Sequence, residues 1–111
     1  MRMLLKVSIP VEAGNAAVRS GTLGATIQKI LDEVKPEAAY FSEHGGVRTG
    51  YIIFDMQKSS QLPALAEPWF LAFNAKVELH PTMTMEDLKN SAPGMESAVK
   101  KYSKSVHPVG R

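Results

Sequence analysis

The 111-residue sequence contains no cysteine. Disulfide scaffolds, thiolate metal sites and cysteine nucleophiles are therefore excluded. No apolar run approaches the ~18 residues of a membrane-spanning helix. The first six residues are too short and too interrupted for a signal peptide. These absences predict a cytoplasmic protein with no membrane partner, whose chemistry would use histidine, carboxylate, lysine, tyrosine or a borrowed cofactor.

The sequence also has little net charge, and what it has is unevenly placed. The formal charge is +2, but residues 100–111 carry Lys100, Lys101, Lys104 and Arg111 and no acid. The remaining 99 residues hold nine basic and eleven acidic side chains, a net charge of −2. A nucleic-acid surface needs basic groups on the folded body, so no nucleic-acid partner is expected.

Short functional motifs are missing as well. The glycine pair Gly21 and Gly24 lacks the lysine of a phosphate-binding loop, and neither a nucleophile elbow nor a clustered metal motif occurs. Residues 50–54 match half of an RNA-recognition motif, but Thr49 occupies the position of its first stacking aromatic residue. The sequence therefore predicts no metal site and indicates no particular cofactor.

Hydrophobic periodicity predicts the secondary structure. Alternating residues indicate strands over 3–9 and 75–83, and helical spacing indicates helices over 23–34 and 60–73. The second helix is expected to have a break or a kink near Glu67 because Pro68 follows. Residues 11–21 are predicted to form a loop or a weak helical turn. Thr84 and Asp87 form a capping signal for a short helix. Residues 92–94 are predicted as a turn, residues 95–104 as a last helix, and residues 107–111 as a loose end.

A β-hairpin is predicted over residues 38–56. Gly45-Gly46 supplies the positive φ angles that a two-residue type I′ turn requires. This turn fixes the register, so Tyr40 is expected opposite Tyr51 and Phe41 opposite Gly50, where an aromatic ring can cover the bare backbone.

The element order β-α-β-β-α-β predicts an α+β fold. Two split β-α-β units of this kind build the ferredoxin-like fold, a four-stranded antiparallel sheet with both helices on one face. We therefore expect a ferredoxin-like domain over residues 1–90 and a C-terminal helical extension with a basic tail over residues 91–111.

Strand parity leaves one face of this sheet without helices. That face is expected to carry a mixture of rings, aliphatic groups and charges: Leu4, Lys6, Ser8, Tyr40, His44, Tyr51, Ile53, Asp55, Glu78 and His80. The set is too polar for a dry interior and too apolar for an ordinary solvated surface. Such a patch usually marks an interface or a ligand surface.

The β-α-β-β-α-β order, the mixed open face and the short length resemble the dimeric α/β-barrel superfamily. Residues 36–41, 66–70 and 75–81 also resemble a family of small uncharacterised bacterial proteins, over about residues 2–90. The resemblance implies a homodimer whose two sheets pack face to face around a barrel lumen. It implies no particular activity, because superfamily relatives include enzymes as well as modules that only bind or dimerise.

Five open-face residues are the candidates for a small-molecule site: Lys6, Tyr40, Tyr51, Glu78 and His80. Lys6, Glu78 and His80 could form a cluster with acid–base capacity, or only a cross-strand ion pair beside a surface histidine. Tyr40 and Tyr51 could stack on an aromatic ligand or pack in a dimer interface. A small organic ligand in the lumen or in the cleft between sheet and helices, and a non-catalytic dimerisation or regulatory module, therefore both remain open.

Overall fold

The computed structural model describes residues 1–103, and these form a four-stranded sheet with helices. The elements are β1 (Arg2–Ile9), α1 (Val11–Ser20), α2 (Leu23–Val34), β2 (Ala38–His44), β3 (Val47–Asp55), a 3₁₀ turn (Ser59–Gln61), α3 (Leu62–Phe73), β4 (Lys76–Pro81), α4 (Met85–Asn90), α5 (Ala92–Ala98) and a π turn (Val99–Ser103). None of the helices in this part of the chain is long and apolar enough to cross a bilayer.

The sheet is antiparallel, with strand order β2-β3-β1-β4. β3 lies between β1 and β2, which are parallel to each other and connected through α1 and α2. β1 in turn lies between β3 and β4, which are parallel and connected through α3. The chain thus forms two interleaved β-α-β units, each split by a strand of the other. This confirms the predicted α+β class and the antiparallel sheet, and is compatible with a ferredoxin-like fold.

The hydrophobic core lies between one face of the sheet and the helices. Every second residue of β1 is buried, beginning at Met3, because side chains alternate between the two faces of a strand. The buried set is Met3, Leu5, Val7, Ile9, Ile30, Ile52, Phe54, Met56, Trp69, Phe73 and Ala75, with Ile27, Leu31, Val34 and Leu65 packed against it. The core face predicted from strand parity is confirmed for β1 and for Ile52 and Phe54 of β3, but Phe41, predicted on the same face, is 54% exposed on the edge strand β2.

The hairpin has the predicted register. Gly45 and Gly46 have φ angles of 62° and 83°, and Tyr40 lies opposite Tyr51. Phe41 lies over Gly50, where an added Cβ would come within 3.1 Å of the aromatic ring. The two-residue turn therefore positions both tyrosines on the face opposite the core.

The prediction of a loop or weak turn over residues 11–21 is wrong, because Val11–Ser20 is a ten-residue helix. Gly14 has a packing role here: an added Cβ would collide with the guanidinium group of Arg48. Arg48 Nη2 also donates a 3.1 Å hydrogen bond to Asn15 Oδ1. Gly21 ends α1 with a left-handed φ of 73°. The helix thus forms although Gly14 and Asn15 have weak helix propensity, and both residues contact Arg48 of β3.

Two proline predictions also differ from the structure. Of the break or kink expected near Glu67, the break is absent, because α3 continues through Pro68. Trp69 and Phe73, just after the proline, are buried in the core and hold this half of the helix against the sheet. The turn expected over residues 92–94 is instead the start of α5, where Pro93 occupies a first-turn position whose N–H needs no helical partner.

Residues 84–103, here called the C-terminal arm, follow β4. All of them are exposed except Ser91 and Ala92, which are half-buried. The expected domain boundary at residue 90 falls inside this arm and stays a prediction. Lys104, Arg111 and the loose end predicted over 107–111 lie outside the described residues.

The predicted capping signal at the start of the arm is confirmed and has a measurable consequence. Asp87 N donates to Thr84 Oγ1 at 3.1 Å, and Thr84 N donates to Asp87 Oδ2 at 3.0 Å. The backbone hydrogen bond from Thr84, followed by its side chain, lowers the pKa of Asp87. The stabilisation of this helix start is therefore present above the ordinary aspartate pKa of about 3.9 and is lost as pH falls through the lowered value.

We expect Thr84→Ala to raise the pKa of Asp87 towards its ordinary value, because the hydroxyl group no longer fixes the carboxylate in its capping position. Carbon-detected NMR titration of the Asp87 carboxyl group measures this shift. Ser97→Ala, later in the same arm, is the matched control and should leave the titration unchanged. An Asp87 pKa that is the same with and without the Thr84 hydroxyl would contradict this account of the cap.

Candidate functional site

The sheet register brings four of the five candidate residues into one row across the open face. Tyr40 on β2 lies opposite Tyr51 on β3, Tyr51 lies opposite Lys6 on β1, and Lys6 lies opposite Glu78 on β4. His80 is two residues from Glu78 on β4, in the next row. With strands about 4.8 Å apart, the row spans about 14 Å. Residues far apart in sequence therefore form one continuous strip, here called the cross-strand row.

The charged end of this row is an ion-pair cluster centred on Glu78. Lys6 Nζ lies 3.9 Å from Glu78 Oε2, and His80 Nε2 lies 3.5 Å from Glu78 Oε1. The side chain of Lys6 is 17% exposed and that of Glu78 is 34% exposed. The carboxylate of Glu78 thus lies between two nitrogen groups, an arrangement that can hold a proton or bind a polar group of a ligand.

The other end of the row is aromatic. Tyr40 is 68% exposed on the edge strand β2, and Tyr51 is half-buried on β3. The next row contains Ala38, Ile53 and Leu4, followed by His80. The first three of these side chains are apolar and half-buried. The open face therefore offers rings and aliphatic groups on one side and the Glu78 cluster on the other.

His44 does not join this cluster. It pairs with Val47 at the tip of the hairpin, two rows from Tyr40 and on the side away from His80. Among residues 1–103, no three histidine or carboxylate side chains come close enough together to hold a metal ion. The two described histidines thus lie towards opposite ends of the open face.

The sheet–helix cleft exists but contains none of the five candidates. A cavity of about 260 Å³ lies between α2, α3 and the end of β3, and its lining includes Ile30, Val34, Phe54 and Leu65. The polar groups at this cavity belong to Glu33, Asp55 and Gln61. The sequence predicted a cleft between sheet and helices but not its lining residues, because these come from separate segments of the chain.

Asp55, expected on the open face, pairs with Arg2 at the end of β3, in the same strand parity as Ile53 and Tyr51, and it also contributes to the lining of this cavity. The N-terminal amine donates to Asp55 Oδ1 at 2.8 Å. This hydrogen bond and the positive charge of the amine lower the pKa of Asp55. The carboxylate is therefore engaged by the N-terminal amine at the end of β3, two rows away from the cross-strand row.

Comparison with known proteins does not assign this chain to a family. No protein-family model matches the chain, and no curated protein sequence shows significant similarity to it. The function of the protein must therefore be inferred from the arrangement of its own residues.

Proposed function

We propose that the protein is a ferredoxin-like domain of the dimeric α/β-barrel type that binds a small organic molecule in the lumen between two sheets. The observation that carries this proposal is the cross-strand row, with His80 beside it, on the face that no helix covers. In this proposal the homodimer forms through the open faces. Each chain then contributes Lys6, Tyr40, Tyr51, Glu78 and His80 to a shared cavity.

The strand order supports the ferredoxin-like part of the proposal. Two interleaved β-α-β units, each split by one strand, are the connectivity of that fold. The half-buried aliphatic residues Leu4 and Ile53 support the dimer, because apolar groups beside rings on an open face favour a partner surface. The lumen is favoured over the sheet–helix cleft because the cleft cavity is not lined by any of the five candidates.

The chemistry of the row defines the class of ligand. A planar aromatic ring fits against Tyr40 and Tyr51, since aromatic rings pack in offset or edge-to-face geometry. A carboxylate or hydroxyl group on that ring would accept a hydrogen bond from Lys6 and compete with Glu78 for it. His80 Nε2, 3.5 Å from Glu78 Oε1, places a second nitrogen group beside the Glu78 carboxylate. A small aromatic acid or phenol is therefore the expected ligand class.

A thermal-shift screen tests the proposal. Aromatic acids, phenols, flavins and haem are added singly, and a compound that binds the native state raises the melting temperature. For an aromatic acid or phenol that does so, Lys6→Met is expected to weaken binding at least tenfold, because it removes the charged donor beside Glu78. His80→Ala and Tyr51→Leu are expected to reduce the shift as well.

Lys29→Met is the matched control, because Lys29 is an exposed lysine on α2, on the helical side of the sheet and away from the open face. It should leave the ligand-induced shift unchanged. The proposal is wrong if no compound of the screened classes shifts the melting temperature, or if Lys6→Met, His80→Ala and Tyr51→Leu all bind as tightly as the unsubstituted protein.

A second function, a non-catalytic dimerisation or regulatory module, is favoured by one specific observation. Glu78 contacts both Lys6 and His80, so the charged groups of the open face already satisfy one another. A cross-strand pair of this kind contributes about 0.2–1 kcal/mol and needs no ligand. A dimer that forms normally but binds none of the screened compounds would support this module.

A further inference from the structure

The C-terminal arm carries an apolar stripe that the rest of the described chain leaves largely exposed. Its members are Met85, Leu88, Ala92, Met95 and Val99, and the spacing continues to Tyr102. The intervals alternate between three and four residues, which is the a/d pattern of a coiled-coil seam. Met85 is 68% exposed, Leu88 41%, Met95 51% and Val99 60%. The stripe is thus an apolar surface that is largely exposed to solvent.

The two helices of the arm follow one another without a loop. Ser91 separates α4 from α5, and its φ and ψ of −86° and −5° lie close to helical values. Gly94 N and Met95 N both donate to Ser91 O, at 3.1 and 3.3 Å. The stripe therefore continues across this junction, although Pro93 interrupts the regular hydrogen bonding there.

The stripe is self-complementary when a second copy runs antiparallel to it. Each residue then faces the residue of the second copy whose number, added to its own, gives 187. Leu88 meets Val99 of the second copy, and Ala92 meets Met95 of the second copy. In both layers an a position faces a d position, and the small Ala92 faces the long Met95. A parallel pairing would instead place Met95 against Met95 and Ala92 against Ala92, leaving one layer overfilled and the other empty.

The charges beside the seam agree with the antiparallel arrangement. Lys89 and Glu96 occupy two of the three e positions of the arm, the third being Ser103, and e positions face each other in an antiparallel pair. Lys89 of one copy therefore lies near Glu96 of the other, twice per pair by symmetry. In a parallel pair, e positions flank g positions, which are Thr84, Ser91 and Ala98 in this arm, so these charges would find no opposite partner.

A contact between the arms would add to the area that a dimer buries. A stable protein interface buries about 800 Å² per partner. A seam of five apolar residues on each arm would contribute to such an area in addition to any sheet-to-sheet contact.

We infer that the C-terminal arm is an antiparallel pairing element for a second copy of this chain, with Leu88 against Val99 and Ala92 against Met95. The occupant of the stripe is the arm of the second copy. The inference goes beyond the proposed ligand site, because it concerns residues 84–103 and holds whether or not the lumen binds a molecule.

Cysteine cross-linking tests this pairing with little background, because the chain has no cysteine of its own. Leu88→Cys and Val99→Cys are made singly and together in the full chain, and are oxidised under mild conditions. The double variant is expected to form a covalent dimer, because the thiol at position 88 of one copy then meets the thiol at position 99 of the other. Both single variants are expected to remain largely uncross-linked. Positions 88 and 99 lie about 16 Å apart along one arm, too far for a bridge within a chain.

Intact mass spectrometry and peptide mapping read out the result. A double variant that cross-links no more than the single variants overturns the inference, whether the arm contacts its own body, the body of a partner or nothing. Single variants that cross-link to themselves as fully as the double variant also overturn it, because that result indicates parallel pairing. The body of the protein is not altered, so circular dichroism should match that of the unsubstituted chain.

Three further substitutions in the double variant separate this inference from the proposed lumen. Met95→Glu places a charge in the seam and is expected to reduce the cross-linked fraction at least tenfold, while Lys29→Glu, an exposed substitution on α2, leaves it unchanged. Lys6→Met removes the proposed ligand contact and should not change cross-linking. Failure of the cross-link therefore counts against the arm, and failure of ligand binding counts against the lumen.

Discussion

Trp69→Ala is expected to lower the free energy of unfolding by about 3–5 kcal/mol, the range for removing a large buried aromatic side chain. Trp69 is 1% exposed and packs on Phe73 with a ring-centroid distance of 6.3 Å. Its loss would leave a cavity between α3 and the sheet that its neighbours cannot fill. Urea denaturation followed by far-ultraviolet circular dichroism measures the change. The protein concentration must be held fixed, because self-association adds to apparent stability.

Trp69→Phe is the informative companion substitution. The indole Nε1 of Trp69 is buried and has no hydrogen-bond partner among the described residues. Phenylalanine keeps most of the ring contact and removes the unsatisfied donor. A buried donor without a partner destabilises the folded state by about 1–3 kcal/mol. We expect a loss of about 1–2 kcal/mol, well below that of alanine. If Trp69→Phe and Trp69→Ala lower the free energy of unfolding equally, ring packing contributes little at position 69.

Ile53→Glu is expected to weaken the proposed homodimer at least 100-fold. Ile53 lies opposite Leu4 on the open face and is half-buried in the single chain. In a face-to-face dimer the substitution would place two carboxylates in the interface, where each uncompensated charge costs several kcal/mol. In the isolated chain the same side chain can reach water, so the monomer should still fold. Sedimentation velocity over a range of concentrations measures the change from dimer to monomer.

Leu71→Glu is the matched control for this experiment. Leu71 is 80% exposed on α3, on the helical side of the sheet, and the substitution makes the same change of charge. It should leave the sedimentation behaviour unchanged. An unsubstituted protein that sediments as a monomer at all concentrations would contradict the dimer. So would an Ile53→Glu variant that remains as dimeric as the control.

The hairpin shows how much local sequence can specify. Gly45-Gly46 permits the positive φ angles of a two-residue turn, and a turn of fixed length sets the pairing of every residue that follows it. Tyr40 opposite Tyr51 was therefore predictable without any knowledge of the other strands. The alternation of β1 was equally informative, because burial on one face requires an apolar residue at every second position.

The helix α1 shows where local sequence is insufficient. Gly14 and Asn15 have weak helix propensity, and residues 11–21 alone favour a loop. Their role depends on Arg48, 33 residues after Asn15, whose guanidinium group needs the space that Gly14 leaves open. Pro68 and Pro93 are similar, since a proline is compatible with a helix when packing or a first-turn position compensates for its missing donor.

Residue patterns along the chain were enough to predict the α+β class, the core face of the sheet, the hairpin register and the five open-face candidates. These features follow from periodicity and turn chemistry, which act between residues close in the chain. The three-dimensional fold was needed to show that Lys6, Glu78 and His80 form one cluster beside Tyr51, and that the sheet–helix cleft is a separate cavity. This difference arises because the pairing of β1 with β3 and with β4 is a long-range contact, whose register depends on packing against α2 and α3 rather than on any local signal.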